Sequence, residues 1–141
     1  MIDILIIIDN PLREHLNLNL LKKIFTHKGL SSRIVSKHLF EYAIYKYKPQ
    51  SVIVPRVTGG FSKIFDLSKK IKFHIYLLPC EHGAGEKARI ISFLTGAENR
   101  NNYDLSNFRN YKNILKFFVP SEPYKKICID SGLFSEDQII V

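Results

Sequence analysis

The turn Pro79-Cys80-Glu81-His82-Gly83-Ala84-Gly85-Glu86-Lys87 gathers the richest set of reactive side-chain types in the sequence. A histidine that follows an apolar run and precedes a helical pattern is a candidate general base, because a neutral imidazole titrates close to neutral pH. Gly83 and Gly85 let the backbone approach a ligand, and the first N–H groups of a following helix attract an anion. Lys87, one turn on, offers a point charge to a phosphate. Glu81 is placed to orient His82 or to substitute for it. A tight strand-to-helix turn with a solvated histidine explains the same residues without chemistry. Cys80 admits a thiol nucleophile, but a cysteine at a strand end also serves as a small packed residue.

Other polar turns have the same setting. Arg56-Val57-Thr58-Gly59-Gly60 is a second candidate for phosphate or sugar contact, and its glycines equally suit a sharp turn into a helix. Asp9, Asn10 and Arg13 follow the first apolar run, and Ser121 and Glu122 follow the fifth. A P-loop signature is absent, and no Gly-x-Gly-x-x-Gly follows the first run, which argues against a dinucleotide; no cofactor is expected. His15, His27, His38 and His74 lack ligand spacing, so no metal is expected. Cys80 and Cys128 form neither a disulfide framework nor a zinc motif and read as reduced thiols.

The elements that must carry these turns alternate regularly. Ile4–Ile8 is a β-branched run of the kind that is buried on both faces in a parallel sheet. From Leu12 to Lys28 the residues Leu16, Leu20, Leu21, Ile24 and Phe25 have helical spacing, and Gly29 occupies the C-cap position. Strands are then expected at Arg33–Val35, Ser51–Val54, His74–Leu78, Ile114–Val119 and Gln138–Val141. Helices are expected from a Ser36 cap to Tyr47, at Phe61–Lys70 with Ile64, Phe65 and Leu67 inward, and at Gly85–Leu94. A last helix runs from an N-cap at Ser121, through Pro123 in its first turn, to Ser131 and Gly132. Phe40, Tyr42, Tyr45 and Tyr47 fall around one helix and read as its packing. The polar stretch from Thr95 to Lys112 is a loop or a short helix. This alternation predicts an α/β fold: a Rossmann-like parallel sheet of five to six strands with helices on both faces, spanning residues 1–141 as one domain. In such a sheet ligands bind beyond the carboxyl ends of the strands, where all the turns above lie.

Composition narrows the partners. Forty-five per cent hydrophobic and 24% charged residues suit a folded domain, and the longest apolar run is far too short to span a bilayer. The net charge of +8 favours sugar nucleotides, phosphates or anionic membrane surfaces, although AT-rich coding also yields a chain rich in Lys, Asn and Ile. With no run of five basic residues, nucleic acid is not an expected partner.

Glu81-His82-Gly83-Ala84-Gly85-Glu86-Lys87, then Phe118-Val119-Pro120-Ser121-Glu122-Pro123-Tyr124, Ser131-Gly132 and Asp137-Gln138-Ile139-Ile140-Val141 resemble the N-terminal domain of GT-B glycosyltransferases of bacterial surface polysaccharide synthesis. The likeness is greatest to the CDP-glycerol glycerophosphotransferase and capsule group. It covers roughly residues 74 to 141. Ala84-Gly85 stands where that group carries Thr-Pro. The resemblance implies that His82 is the base and Lys87 the turn lysine. It implies a glycan or lipid-linked acceptor, and a nucleotide-activated donor held by a second domain that would follow Val141. The reduced thiols suit a cytoplasmic protein, and the positive charge suits an acceptor carried at the inner face of the cytoplasmic membrane. Two other classes stay open: a non-catalytic α/β module binding a nucleotide or a protein, and a flavodoxin- or receiver-like domain. The receiver version expects more acids after the first strand than Asp9.

Overall fold

The computed structural model describes residues 1–56, 61, 63–79 and 111–141. The chain forms β1 (Ile4–Ile8), α1 (Pro11–His27), β2 (Ser32–Ser36), α2 (Phe40–Tyr47), β3 (Ser51–Val54), α3 (Ile64–Ile71), β4 (His74–Leu77) and β5 (Ile114–Phe118). It continues through α4 (Glu122–Asp130), a 3-10 turn at Glu136–Gln138, and β6 (Ile139–Ile140). The strands make one six-stranded sheet of order β2-β1-β3-β4-β5-β6, and each neighbouring pair is parallel. This is the Rossmann-like α/β architecture the alternation predicts.

Strand order explains where each helix goes. The chain moves one way from β1 to β2 and the other way from β2 onward. Right-handed crossovers therefore put α1 on one face and the later helices on the opposite face. On the α1 face, Leu18, Leu21 and Phe25 pack with Ile4, Ile6, Ile8, Ile34 and Ile53. On the other face Phe40, Ala43 and Ile44 of α2, Ile64, Phe65 and Leu67 of α3, and Tyr124 and Cys128 of α4 cover Leu5, Ile7, Val52, Ile75, Ile114 and Phe117. Phe117 is wholly buried against Phe134, with ring centroids 4.7 Å apart. Truncation of a ring so enclosed typically costs ~3–5 kcal/mol.

The helix ends follow local chemistry. Asn10 caps α1 by accepting the Leu12 N–H at 3.2 Å, with Pro11 in the first turn. At the other end, Leu30 N–H donates to the Phe25 carbonyl at 2.9 Å and Gly29 N–H to Thr26 at 3.0 Å. These two bonds form a Schellman closure, which needs the left-handed backbone of Gly29 at φ +76°. Gly132, at φ +71°, follows α4 and its N–H donates to the Ile129 carbonyl at 2.9 Å, while the Leu133 N–H donates to the Ser131 hydroxyl at 3.4 Å.

Several details depart from the sequence expectation. Ser36 ends β2 and does not cap α2, which starts at Phe40 behind Leu39 without a side-chain cap. Its hydroxyl accepts the His38 N–H at 3.4 Å and its carbonyl the Leu39 N–H at 2.9 Å, closing an intervening turn. Tyr42 and Tyr45 are exposed and do not pack α2, because only the arc carrying Phe40, Ala43 and Ile44 meets the sheet. Along α1 the spacing that relates Leu16, Leu20 and Ile24 to Leu21 and Phe25 is split: the first three are exposed and the last two packed. Gln138 precedes β6 instead of belonging to it. Its amide nitrogen donates to the carbonyls of Tyr111 (3.0 Å) and Ile114 (2.6 Å), and its oxygen accepts from Ser135, so a buried amide is fully partnered. The expected helix at Gly85–Leu94 lies outside the described residues.

Candidate functional site

Strand order reverses beside β1, so β1 and β3 flank the switch point at which a doubly wound sheet opens a crevice. Three charged residues from three adjacent strand ends converge there. Asp9 follows β1, Lys37 follows β2 and Arg56 lies just past β3. Because β1 lies between β2 and β3, its carboxylate is central. Oδ1 accepts from Lys37 Nζ at 2.5 Å, and Oδ2 accepts from Arg56 Nη2. Lys37 is held in register by continuation of the ladder, its N–H donating to the Ile8 carbonyl at 2.9 Å.

Burial within the cluster is graded. The Asp9 side chain is only 12% exposed, whereas Lys37 and Arg56 retain 36% and 42%. The carboxylate thus works as an internal anchor, and the two cations present unused donors at the surface. The Arg56 guanidinium also lies 5.7 Å from the centroid of the Phe61 ring, which is buried and stacked on Phe40 at 6.0 Å. An arginine fixed by a carboxylate on one side and an aromatic face on another loses little freedom when it binds an anion.

Beneath the cluster Glu14 supports the Asp9 backbone. It is 2% exposed, and its Oε2 accepts the Asp9 N–H at 2.9 Å. Its Oε1 lies 3.4 Å from Arg13 Nη2. Among the described residues, Lys37 and Arg56 thus meet the single carboxylate of Asp9 at this edge, and Arg13 faces Glu14. Such an arrangement can bind a phosphate or a carboxylate. Among the described residues no group of three or more His, Cys, Asp and Glu is placed to hold a metal ion.

The structure sorts the residues singled out in the sequence. Asp9 and Arg56, 47 positions apart, are brought into contact, and Arg13 joins them through Glu14. Asn10 is used in starting α1. Ser121 accepts the Tyr124 N–H at 3.4 Å as the N-cap of α4, and Glu122 is that helix's first residue. Both stand at the same sheet edge beyond β5, three strands from β1, or about 14 Å across the sheet. Thr58, Gly59, Gly60, Cys80, Glu81, His82, Gly83, Gly85 and Lys87 lie outside the described residues. His15, His27, His38 and His74 are exposed.

Lys37 and Glu14 are the members that sequence reasoning missed. Lys37 carried a usable signal, since it directly follows a strand, as Asp9 does. Glu14 carried none, because its role depends on burial.

The fold is that of a Rossmann-like α/β domain, with the charged cluster of Asp9, Lys37 and Arg56 at its β1/β3 switch point. No family model, curated protein or solved structure matches the chain.

Proposed function

We propose that this chain is the acceptor-side half of a glycosyltransferase-like or glycerophosphotransferase-like enzyme of bacterial surface-carbohydrate synthesis. Its carboxyl edge would bind the phosphate-bearing part of a glycan or lipid-linked acceptor. The observation that carries the reading is the Lys37–Asp9–Arg56 cluster at the switch point, with both cations partly open. Arg56 and Lys37 seat the anionic group, and Asp9 aims them. In this reading His82 takes the proton of the acceptor hydroxyl as its oxygen attacks the donor, Glu81 orients the imidazole, and the nucleotide departs with the electron pair of the broken bond. The donor belongs to a second domain, and the protein works on the cytoplasmic side at the inner face of the membrane. No helix among the described residues is long and apolar enough to cross that membrane.

The test is an amide-shift titration of the labelled chain with glycerol 3-phosphate against glycerol alone. Shifts at Asp9, Lys37 and Arg56 with the phosphate ester only, weakened about tenfold or more by Arg56→Ala, are expected. Identical responses to ester and polyol would remove the anion site. In the complete enzyme, transfer that survives His82→Ala would remove the base.

A nucleotide-binding module is the second reading, favoured by the strand order, since order 2-1-3-4-5 is shared with folds that hold a nucleotide at this switch point. Tighter binding of a free nucleotide than of the polyol phosphate would select it.

A further inference from the structure

Leu12, Leu16, Leu20 and Ile24 recur at every fourth position of α1 and are 100%, 82%, 61% and 48% exposed. At 3.6 residues per turn this row drifts about 40° per step and so sweeps about 120° of the helix surface. Single exposed aliphatics are ordinary, whereas a continuous row of them marks a contact surface. Leu20 and Ile24 also line an open groove of about 410 Å³ that reaches Leu78 and Pro79 at the end of β4.

The charges along this helix are of one sign. Arg13, Lys22, Lys23 and Lys28 are exposed on α1 and its C-cap, together with His15 and His27. The only acid of α1, Glu14, is buried beneath the switch-point cluster. We propose that this face of α1 rests on an anionic lipid bilayer, with the aliphatic row in the headgroup–acyl boundary and the cations on lipid phosphates.

Charge complementarity selects that occupant. A second copy docked through the same face would set these cations against their own equivalents, because a two-fold contact pairs a patch with itself. The row starts at Leu12, three residues after Asp9, so a docked α1 would bring the carboxyl edge of the sheet to the membrane surface. The inference does not depend on which ligand binds there: of the cations at that edge only Arg13 lies on α1, and Lys22, Lys23 and Lys28 belong to the helix and its C-cap alone.

The test is sedimentation of the full chain with vesicles of phosphatidylcholine alone and of phosphatidylcholine mixed with phosphatidylglycerol. Partitioning onto the anionic vesicles should exceed the neutral ones about tenfold or more and weaken as salt is raised. Leu16→Ser combined with Leu20→Ser should lower it about tenfold, and Lys22→Gln with Lys23→Gln about fivefold per charge removed. These side chains are exposed, so the variants should keep their thermal midpoints, and a melt of each verifies that. Equal binding to both vesicle types, no binding to either, or partitioning unchanged in the leucine variant overturns the proposal. A dimer in sedimentation velocity that the leucine substitutions dissolve overturns it in favour of self-association.

Discussion

Replacing Glu14 separates two things that a buried carboxylate can contribute, an acceptor and a charge. The side chain is 1% exposed and its Oε2 accepts the Asp9 N–H at 2.9 Å. Glu14→Ala strands that N–H at a cost of about 1–3 kcal/mol. It also deletes one buried methylene, worth about 0.8 kcal/mol. Against this, removing a buried carboxylate recovers part of its desolvation penalty. The net loss is about 1–3 kcal/mol, or roughly 3–9 °C in the thermal midpoint of a chain of this length. Glu14→Gln keeps an acceptor for the Asp9 N–H and nearly the same volume, and loses the charge and the acceptor oxygen that face a half-exposed Arg13, a contact at 3.4 Å. Its cost should stay within about 1 kcal/mol. Urea unfolding of both variants at neutral pH, with unchanged denaturant slopes, measures the difference. If Gln proves as damaging as Ala, the charge dominates and the acceptor argument is wrong. The same pair reports on function, because Asp9 hangs from this bond. Only the alanine variant should weaken phosphate binding at Lys37 and Arg56.

Two further outcomes follow from titrating groups. The Asp3 carboxylate is held below its ordinary 3.8, chiefly by the Ser31 hydroxyl at 2.6 Å and then by the Ser31 N–H at 2.7 Å. A lowered folded-state value contributes stability above the unfolded value and loses it as pH falls through the folded one. Asp3→Asn should therefore destabilise the chain at pH 7, and its deficit should shrink once the pH drops below about 4; a deficit constant across that window contradicts the linkage. Cys128 is fully buried, and burial pushes its thiol up to about 12. In a Cys80→Ser background at pH 8 about one molecule in ten thousand carries the thiolate, so a disulfide reagent should label it only as fast as the chain unfolds. Rapid labelling of the folded protein would show that α4 opens locally.

The sequence was informative wherever the deciding interaction is short in range. The β-branched run at Ile4–Ile8, the Asn10-Pro11 start and Gly29 stop of α1, and the Ser121-Glu122-Pro123 start of α4 are set by backbone sterics and capping within a few residues. Alternation of these elements is enough for the parallel α/β class, because crossover handedness leaves few ways to arrange them. It also locates polar residues at the carboxyl edge, which is why Asp9 and Arg56 could be named before any contact was known.

Tertiary structure alone decided which of them meet. Asp9 touches Arg56 and Lys37 because β1 lies between β2 and β3, an order that no local signal encodes. Ser121 and Glu122, equally well placed along the chain, are kept away by three strand spacings. The periodicity of α1 likewise could not say which aliphatics go inward. A helix apolar over more than one arc can pack only one against a single sheet, and the sheet took Leu18, Leu21 and Phe25 and left Leu12, Leu16, Leu20 and Ile24 outside.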